Sequence, residues 1–107
     1  MIQLIFIYPD GQEQEAYAQN GQTLLSAAQE AGVLGFVAEC GGNCTCATCH
    51  CFIQAEHAQE LFEPSEDEQA MLGFTAEPRE QHSRLACQIM VEYFMDGMRV
   101  YMPERQI

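Results

Sequence analysis

The 107-residue chain contains no lysine and no tryptophan, and its basic side chains are four arginines and three histidines. Sixteen aspartates and glutamates give it a formal net charge of −12. No arginine precedes Arg79, so the excess of acid lies in the first part of the chain. Such a surface repels nucleic acid and anionic membranes and steers a protein towards a basic partner. We therefore expect no nucleic-acid and no membrane partner.

Long apolar runs are also missing, because no stretch approaches the roughly 20 residues of a membrane span. The first eleven residues, MIQLIFIYPDG, have neither a basic region nor a small-residue cleavage site and are typical of a strand. We expect a cytoplasmic protein whose residues 1–107 form one domain.

The order of secondary-structure signals predicts an α+β fold. Residues 2–8 and 12–18 are expected to form a hairpin, and Thr23 is expected to cap a helix that ends near Gly32. A short strand is expected over 51–53 and a short helix or turn over 56–62. Ser65 should cap a second helix that runs to about Phe74. Further strands are predicted over 85–93 and 98–102. The later methionines, Met90, Met95, Met98 and Met102, are expected in the core.

Five cysteines fall within twelve residues: Cys40, Cys44, Cys46, Cys49 and Cys51. Five residues separate Cys40 from Cys46, two separate Cys46 from Cys49, and 37 separate Cys49 from Cys87. Dense thiolates suit iron–sulfur clusters, zinc or copper(I). Three cysteines on one loop with a distant fourth are typical of a 2Fe-2S cluster. Gly41 and Gly42 would let the backbone of this loop pass close to a ligand.

Other interpretations of the cysteine loop remain open. The sequence from Cys46 to His50 matches the attachment pattern of c-type haem, but haem would leave Cys40 and Cys87 without a role. A structural zinc site usually takes its ligands as two close pairs, and Cys87 has no close partner in the sequence. A disulfide framework requires an oxidising compartment. A non-redox metal-binding module is thus the alternative class of function.

The longer first gap, the pair Cys49-His50 and the segment Ser83 to Ile89 (SRLACQI) resemble the adrenodoxin and putidaredoxin group of 2Fe-2S ferredoxins. The plant-type spacing, with four residues between the first two ligands, cannot be completed from any cysteine of the chain. The resemblance implies a β-grasp fold. It also implies a 2Fe-2S cluster bound by Cys40, Cys46, Cys49 and Cys87, with Cys44 and Cys51 left as surplus thiols.

The resemblance further implies a carrier of single electrons with no catalytic residues of its own. Its partners would be a flavin-dependent ferredoxin reductase and a cytochrome P-450 or other oxygenase, in transient complexes of a monomer. Supply of electrons to iron–sulfur cluster assembly is the alternative. His50 is expected to brace the loop against the segment from His82 to Arg84, with Arg84 near Glu68. The residues expected to contact partners are Glu39, Glu66, Asp67, Glu68, Met71 and Ile107.

Overall fold

The computed structural model describes residues 1–33, 49–73, 75 and 81–104. Within them a five-stranded sheet has the order β2-β1-β5-β3-β4. Its strands are β1 (Ile2–Ile7), β2 (Glu13–Ala18), β3 (His50–Ile53), β4 (Ser83–Leu85) and β5 (Met98–Tyr101). β1 pairs antiparallel with β2 and parallel with β5, whereas β3 pairs antiparallel with both β4 and β5.

The predicted hairpin is confirmed, and its two strands divide their residues between core and surface. Ile2, Leu4 and Phe6 are fully buried on one face of β1, while the alternate residues are half-buried. β2 buries Ala16 and Ala18 and exposes Tyr17 between them. This period of two is the pattern that a strand produces when one of its faces covers a core.

Helix α1 (Leu24–Glu30) begins at the predicted cap, because the Thr23 side chain accepts a hydrogen bond from the backbone N–H of Ser26. Its leucines and alanines are buried where it packs against β2 and against a 3₁₀ turn at Ala86–Gln88. The Gln14 side chain donates to the carbonyl of Ala31 at 2.8 Å. The end of α1 is therefore fixed to β2.

The prediction of one strand over 85–93 is wrong. β4 ends at Leu85, the 3₁₀ turn Ala86–Gln88 follows, and a second 3₁₀ turn occupies Tyr93–Met95. Between the turns, Ile89 accepts from Leu24 N–H and Val91 donates to the carbonyl of Gln22, each at under 3 Å. Ile89 and Val91 are thus buried beside the start of α1 instead of in the sheet, whereas Met90 between them is exposed.

Two short helices, α2 (Ala55–Ala58) and α3 (Glu66–Leu72), lie between β3 and β4 in the chain. Ser65 caps α3 as predicted, by accepting a hydrogen bond from Glu68 N–H. Met95, Met98 and Met102 are buried as expected, but Met90 is exposed. In the described parts of the chain, no helix is long and apolar enough to cross a membrane.

Replacing Leu4 with alanine should lower the free energy of unfolding by about 2–5 kcal/mol, because it leaves a cavity at a fully buried position of the central hairpin. Tyr17→Ala on β2 is the control, since Tyr17 is half exposed and its loss should change stability far less. Urea unfolding followed by circular dichroism measures both. Equal losses would contradict the burial pattern of the hairpin.

Candidate functional site: a cysteine metal centre

The sheet brings together two cysteines that the sequence separates by 37 residues. β3 and β4 pair with His50 opposite Leu85, and the N–H of Ala86 donates to the carbonyl of Cys49 at 2.9 Å, which extends their pairing. The 3₁₀ turn after β4 then directs the side chain of Cys87 towards Cys49. Their sulfurs lie 3.3 Å apart, and both side chains are buried.

This sulfur–sulfur distance is that of a hydrogen bond between the two thiols, and it lies within about 0.5 Å of the separation of two thiolates on one metal ion. It is far longer than the roughly 2.05 Å of a disulfide bond. Two thiolates bound at about 2.3 Å to one tetrahedral metal lie roughly 3.8 Å apart. The hydrogen bond with Cys87, followed by burial, raises the pKa of the Cys49 thiol. Two thiolates at this distance would repel each other, and a bound metal cation would offset that repulsion.

Cys51 does not join this pair. Its side chain is fully buried, and its thiol lies 3.6 Å from the carbonyl of Arg84. Burial raises the pKa of Cys51 well above the ordinary range. The structure therefore supports the expectation that Cys51 is a packed, unreactive thiol.

The remaining predicted ligands, Cys40 and Cys46, lie outside the described residues, as does the surplus Cys44. Within the described ranges, no group of three or more metal-binding side chains is found. The candidate centre there consists of the two thiols of Cys49 and Cys87. These are the third and fourth members of the predicted ligand set.

His50 holds the two strands together directly behind the thiol pair. Its Nε2 atom lies 2.8 Å from the hydroxyl of Ser83, and the imidazole is almost fully buried. The ring also meets the Phe52 ring edge-on, with centroids 4.6 Å apart. The expected contact of His50 with the segment before Cys87 is thus confirmed.

Arg84 and Glu68 form a buried ion pair, which confirms the predicted contact between them. The guanidinium donates from Nε to one carboxylate oxygen at 2.7 Å and from Nη2 to the other at 3.0 Å. The backbone N–H of Leu85 donates to the same carboxylate at 2.9 Å, and Arg84 Nη1 donates to the carbonyl of Phe62 at 2.8 Å. Helix α3 is therefore joined to the strand that leads to Cys87.

The predicted partner surface needs one correction. Glu68 is only 1% exposed, so its carboxylate faces Arg84 and Leu85 instead of a partner. Glu66 and Asp67 are exposed at the start of α3, whereas Met71 is partly buried against the core. Glu39 and Ile107 lie outside the described residues.

Two groups at the site are not among the residues predicted from the sequence. One is the N–H of Leu85, which no side-chain pattern can indicate. The other is Gln88, whose Nε2 atom donates to the sulfur of Cys87 at 3.5 Å. Its position directly after a predicted ligand was the available signal.

A helix packed on a mixed sheet, with two neighbouring buried thiols just before β3 and just after β4, fits a small protein that binds a metal through cysteines. Residues 7–92 match the family described as a 2Fe-2S iron–sulfur cluster binding domain. The chain is 41% identical to rhodocoxin of Rhodococcus erythropolis over 95% of both chains. It is 40% identical to terpredoxin of a Pseudomonas species, over 96% of this chain and 97% of that protein. It is 32% identical to putidaredoxin of Pseudomonas putida over 99% of both.

Solved structures similar to this chain are also ferredoxins. The ferredoxin of Rhodopseudomonas palustris HaA2 superposes with a TM-score of 0.95 at 38% identity, covering 98% of this chain and 99% of that one. Putidaredoxin in its covalent complex with putidaredoxin reductase gives 0.91 at 31% identity, covering 96% and 99%.

The chain therefore belongs to the 2Fe-2S cluster binding family, as a ferredoxin of the putidaredoxin type. The predicted β-grasp fold and 2Fe-2S cofactor are confirmed, and the protein is an electron carrier, not an enzyme. When bound, the cluster supplies one-electron redox chemistry. The chain supplies the thiols of Cys49 and Cys87 and the hydrogen bonds around them.

Replacing Arg84 with leucine should cost about 3–5 kcal/mol of stability, because it leaves the buried Glu68 carboxylate without its counter-ion. Arg99→Leu is a matched control, since it removes the same charge from an exposed residue of β5 and should cost little. Urea unfolding of the cluster-loaded proteins compares them. Similar losses in both variants would show that the Glu68–Arg84 pair does not stabilise the fold.

Proposed function

We propose that this chain carries single electrons from a flavin-dependent ferredoxin reductase to a cytochrome P-450 type monooxygenase. Its 2Fe-2S cluster is bound by Cys40, Cys46, Cys49 and Cys87. The observation that supports this ligand set best is the 3.3 Å approach of the Cys49 and Cys87 sulfurs. The pairing of β3 with β4 brings these two sequence-distant thiols within reach of a single metal ion.

The contacts around Cys49 and Cys87 indicate how the polypeptide supports electron transfer. The pairing of β3 with β4 fixes Cys49 relative to Cys87, and α1 packs against the turn that carries Cys87. A rigid ligand frame changes little when the charge of the cluster changes, which keeps the reorganisation on electron transfer small. The buried position of both sulfurs limits access of water to that side of the cluster.

The ligand set predicts which cysteines the cluster requires. Changing Cys40, Cys46, Cys49 or Cys87 to serine should abolish or strongly reduce cluster content, because each change removes a thiolate ligand. Cys51→Ala is the matched control and should keep a full cluster, since Cys51 is directed to the carbonyl of Arg84. Iron and sulfide analysis together with the visible spectrum measures the content. An unaltered cluster in Cys87→Ser would refute the assignment.

Similarity to a protein solved with its reductase and the negative charge of the chain both support the proposed partners. Putidaredoxin, a close structural neighbour, has been solved in a covalent complex with putidaredoxin reductase. The chain carries a net charge of −12, and three acids begin α3, of which Glu66 and Asp67 are exposed. Acids at a helix N-terminus are also favoured by the helix dipole, so stabilisation of α3 accounts for part of this clustering of acids. We place docking of basic partners on this exposed turn.

The exposed acids of α3 should accelerate association with a reductase. Changing Glu66 to Gln together with Asp67 to Asn should lower the association rate at low salt roughly threefold to tenfold, because electrostatic steering is lost. The difference should fade at high salt, where screening is strong. Glu13→Gln with Glu15→Gln on β2 is the control, since it removes the same charge from another exposed surface.

Stopped-flow reduction of each protein by putidaredoxin reductase, used as a surrogate donor, measures these rates over a salt series. Equal slowing by the two double variants would indicate that only net charge matters. A rate that does not depend on salt in the parent protein would exclude steering altogether.

We also place the protein in the cytoplasm as a single domain over 1–107. Supply of electrons to iron–sulfur cluster assembly is the alternative function, and Cys51 gives it no support, since its side chain is fully buried.

A further inference from the structure

Gln88 is the one residue of the turn Ala86–Gln88 that is exposed, yet its side-chain amide reaches the buried sulfur beside it. Nε2 of Gln88 lies 3.5 Å from Cys87 Sγ, within hydrogen-bonding distance for a sulfur acceptor. The same sulfur is the one that approaches Cys49 to 3.3 Å. One thiol of the candidate centre thus receives an amide N–H from the next residue in the chain.

The backbone that presents this amide is fixed on both sides. Ala86 N–H donates to the carbonyl of Cys49 at 2.9 Å, and Ile89 N–H donates back to Ala86 at 3.4 Å. The carbonyl of Ile89 in turn accepts from Leu24 N–H at 2.8 Å, at the start of α1. The position of Gln88 relative to the sulfur is therefore set by the fold. Only the side-chain torsions of Gln88 remain to be ordered.

The exposed amide of Gln88 does not need the Cys87 sulfur as a hydrogen-bond partner, because water is available to it. An exposed amide can bond to water at no cost, so its approach to a sulfur points to a stabilising interaction with that sulfur. The effect depends on charge. An N–H donor stabilises a cysteine thiolate most when the electron density on sulfur is greatest, which is after the cluster has accepted an electron.

We propose that Gln88 is a positioning residue that tunes the redox centre. Its side-chain N–H donates a hydrogen bond to the Cys87 sulfur and thereby raises the reduction potential of the cluster. The proposal depends on Cys87 being a ligand, as inferred above. The neutral amide suits this task, because it donates a hydrogen bond without adding charge to the protein surface. A glutamate of the same shape would offer no donor at neutral pH and would add a negative charge beside the sulfur.

Two variants test the donor. Gln88→Leu removes the N–H without changing charge, and Gln88→Glu keeps the shape but replaces the donor with a carboxylate. Gln69→Leu is the matched control, because Gln69 is also exposed and its amide donates to the carbonyl of Pro64 at 3.0 Å, not to a cysteine. Spectroelectrochemical titration of each cluster-loaded protein gives the potential, and resonance Raman spectra report the iron–sulfur stretching bands.

In Gln88→Leu the potential should fall by the equivalent of a roughly twofold to tenfold change in the reduction equilibrium, where tenfold is about 59 mV for one electron. Gln88→Glu should lower it further, and the iron–thiolate bands should shift in both variants. Gln69→Leu should leave both readouts unchanged. A potential in Gln88→Leu that equals that of the parent, or a fall matched by Gln69→Leu, would overturn the proposal.

These outcomes are separate from a failure of the ligand assignment. If Cys87 is not a ligand, Cys87→Ser retains its cluster, whereas the tuning proposal can fail while Cys87→Ser loses it. Because Gln88 is exposed, its replacement opens no cavity, and the visible spectrum of each variant checks that the cluster is intact.

Discussion

The burial of one carboxylate constrains much of this structure. Glu68 has lost its contact with water, and a buried charge is tolerated only when it is paired and hydrogen-bonded. Arg84 bonds to both of its oxygens, and Leu85 adds a backbone N–H. Helix α3 and strand β4 therefore cannot separate without leaving a charge unpaired in the interior. This pair fixes the acidic helix to the strand that precedes Cys87.

The other contacts of the site involve strand β4 and the turn that follows it. β4 pairs with β3, the His50 ring meets Ser83, and the Ala86–Cys49 hydrogen bond continues the pairing to the two sulfurs. The 3₁₀ turn after β4 replaces the strand that the apolar pattern of 85–93 predicts. That turn directs the side chain of Cys87 towards Cys49 and exposes Gln88 beside it. A continuous strand would have continued the alternation of side chains across the sheet instead.

The three consecutive acids of α3 show how position on a helix separates two roles. Glu66 and Asp67 remain exposed and contribute to the acidic surface, whereas Glu68 lies on the same helix face as the buried Leu72, four residues later. The spacing of Glu68 and Leu72 was a signal that one acid faces inward. Charge composition alone could not reveal this, because it counts the three carboxylates alike.

The sequence by itself indicated a cysteine-ligated metal centre and determined most of the secondary-structure elements. Cysteine spacing favoured a 2Fe-2S centre, two strand-like runs around a turn predicted the hairpin, and Thr23 and Ser65 marked the helix starts, because these signals are local. Tertiary structure decided the strand order, the 3₁₀ turn at Cys87, the burial of Glu68 and the contact of Gln88 with sulfur. Each depends on which distant segments pack together, since a residue's exposure and hydrogen-bond partners are properties of its neighbours in space and not of its neighbours in the chain.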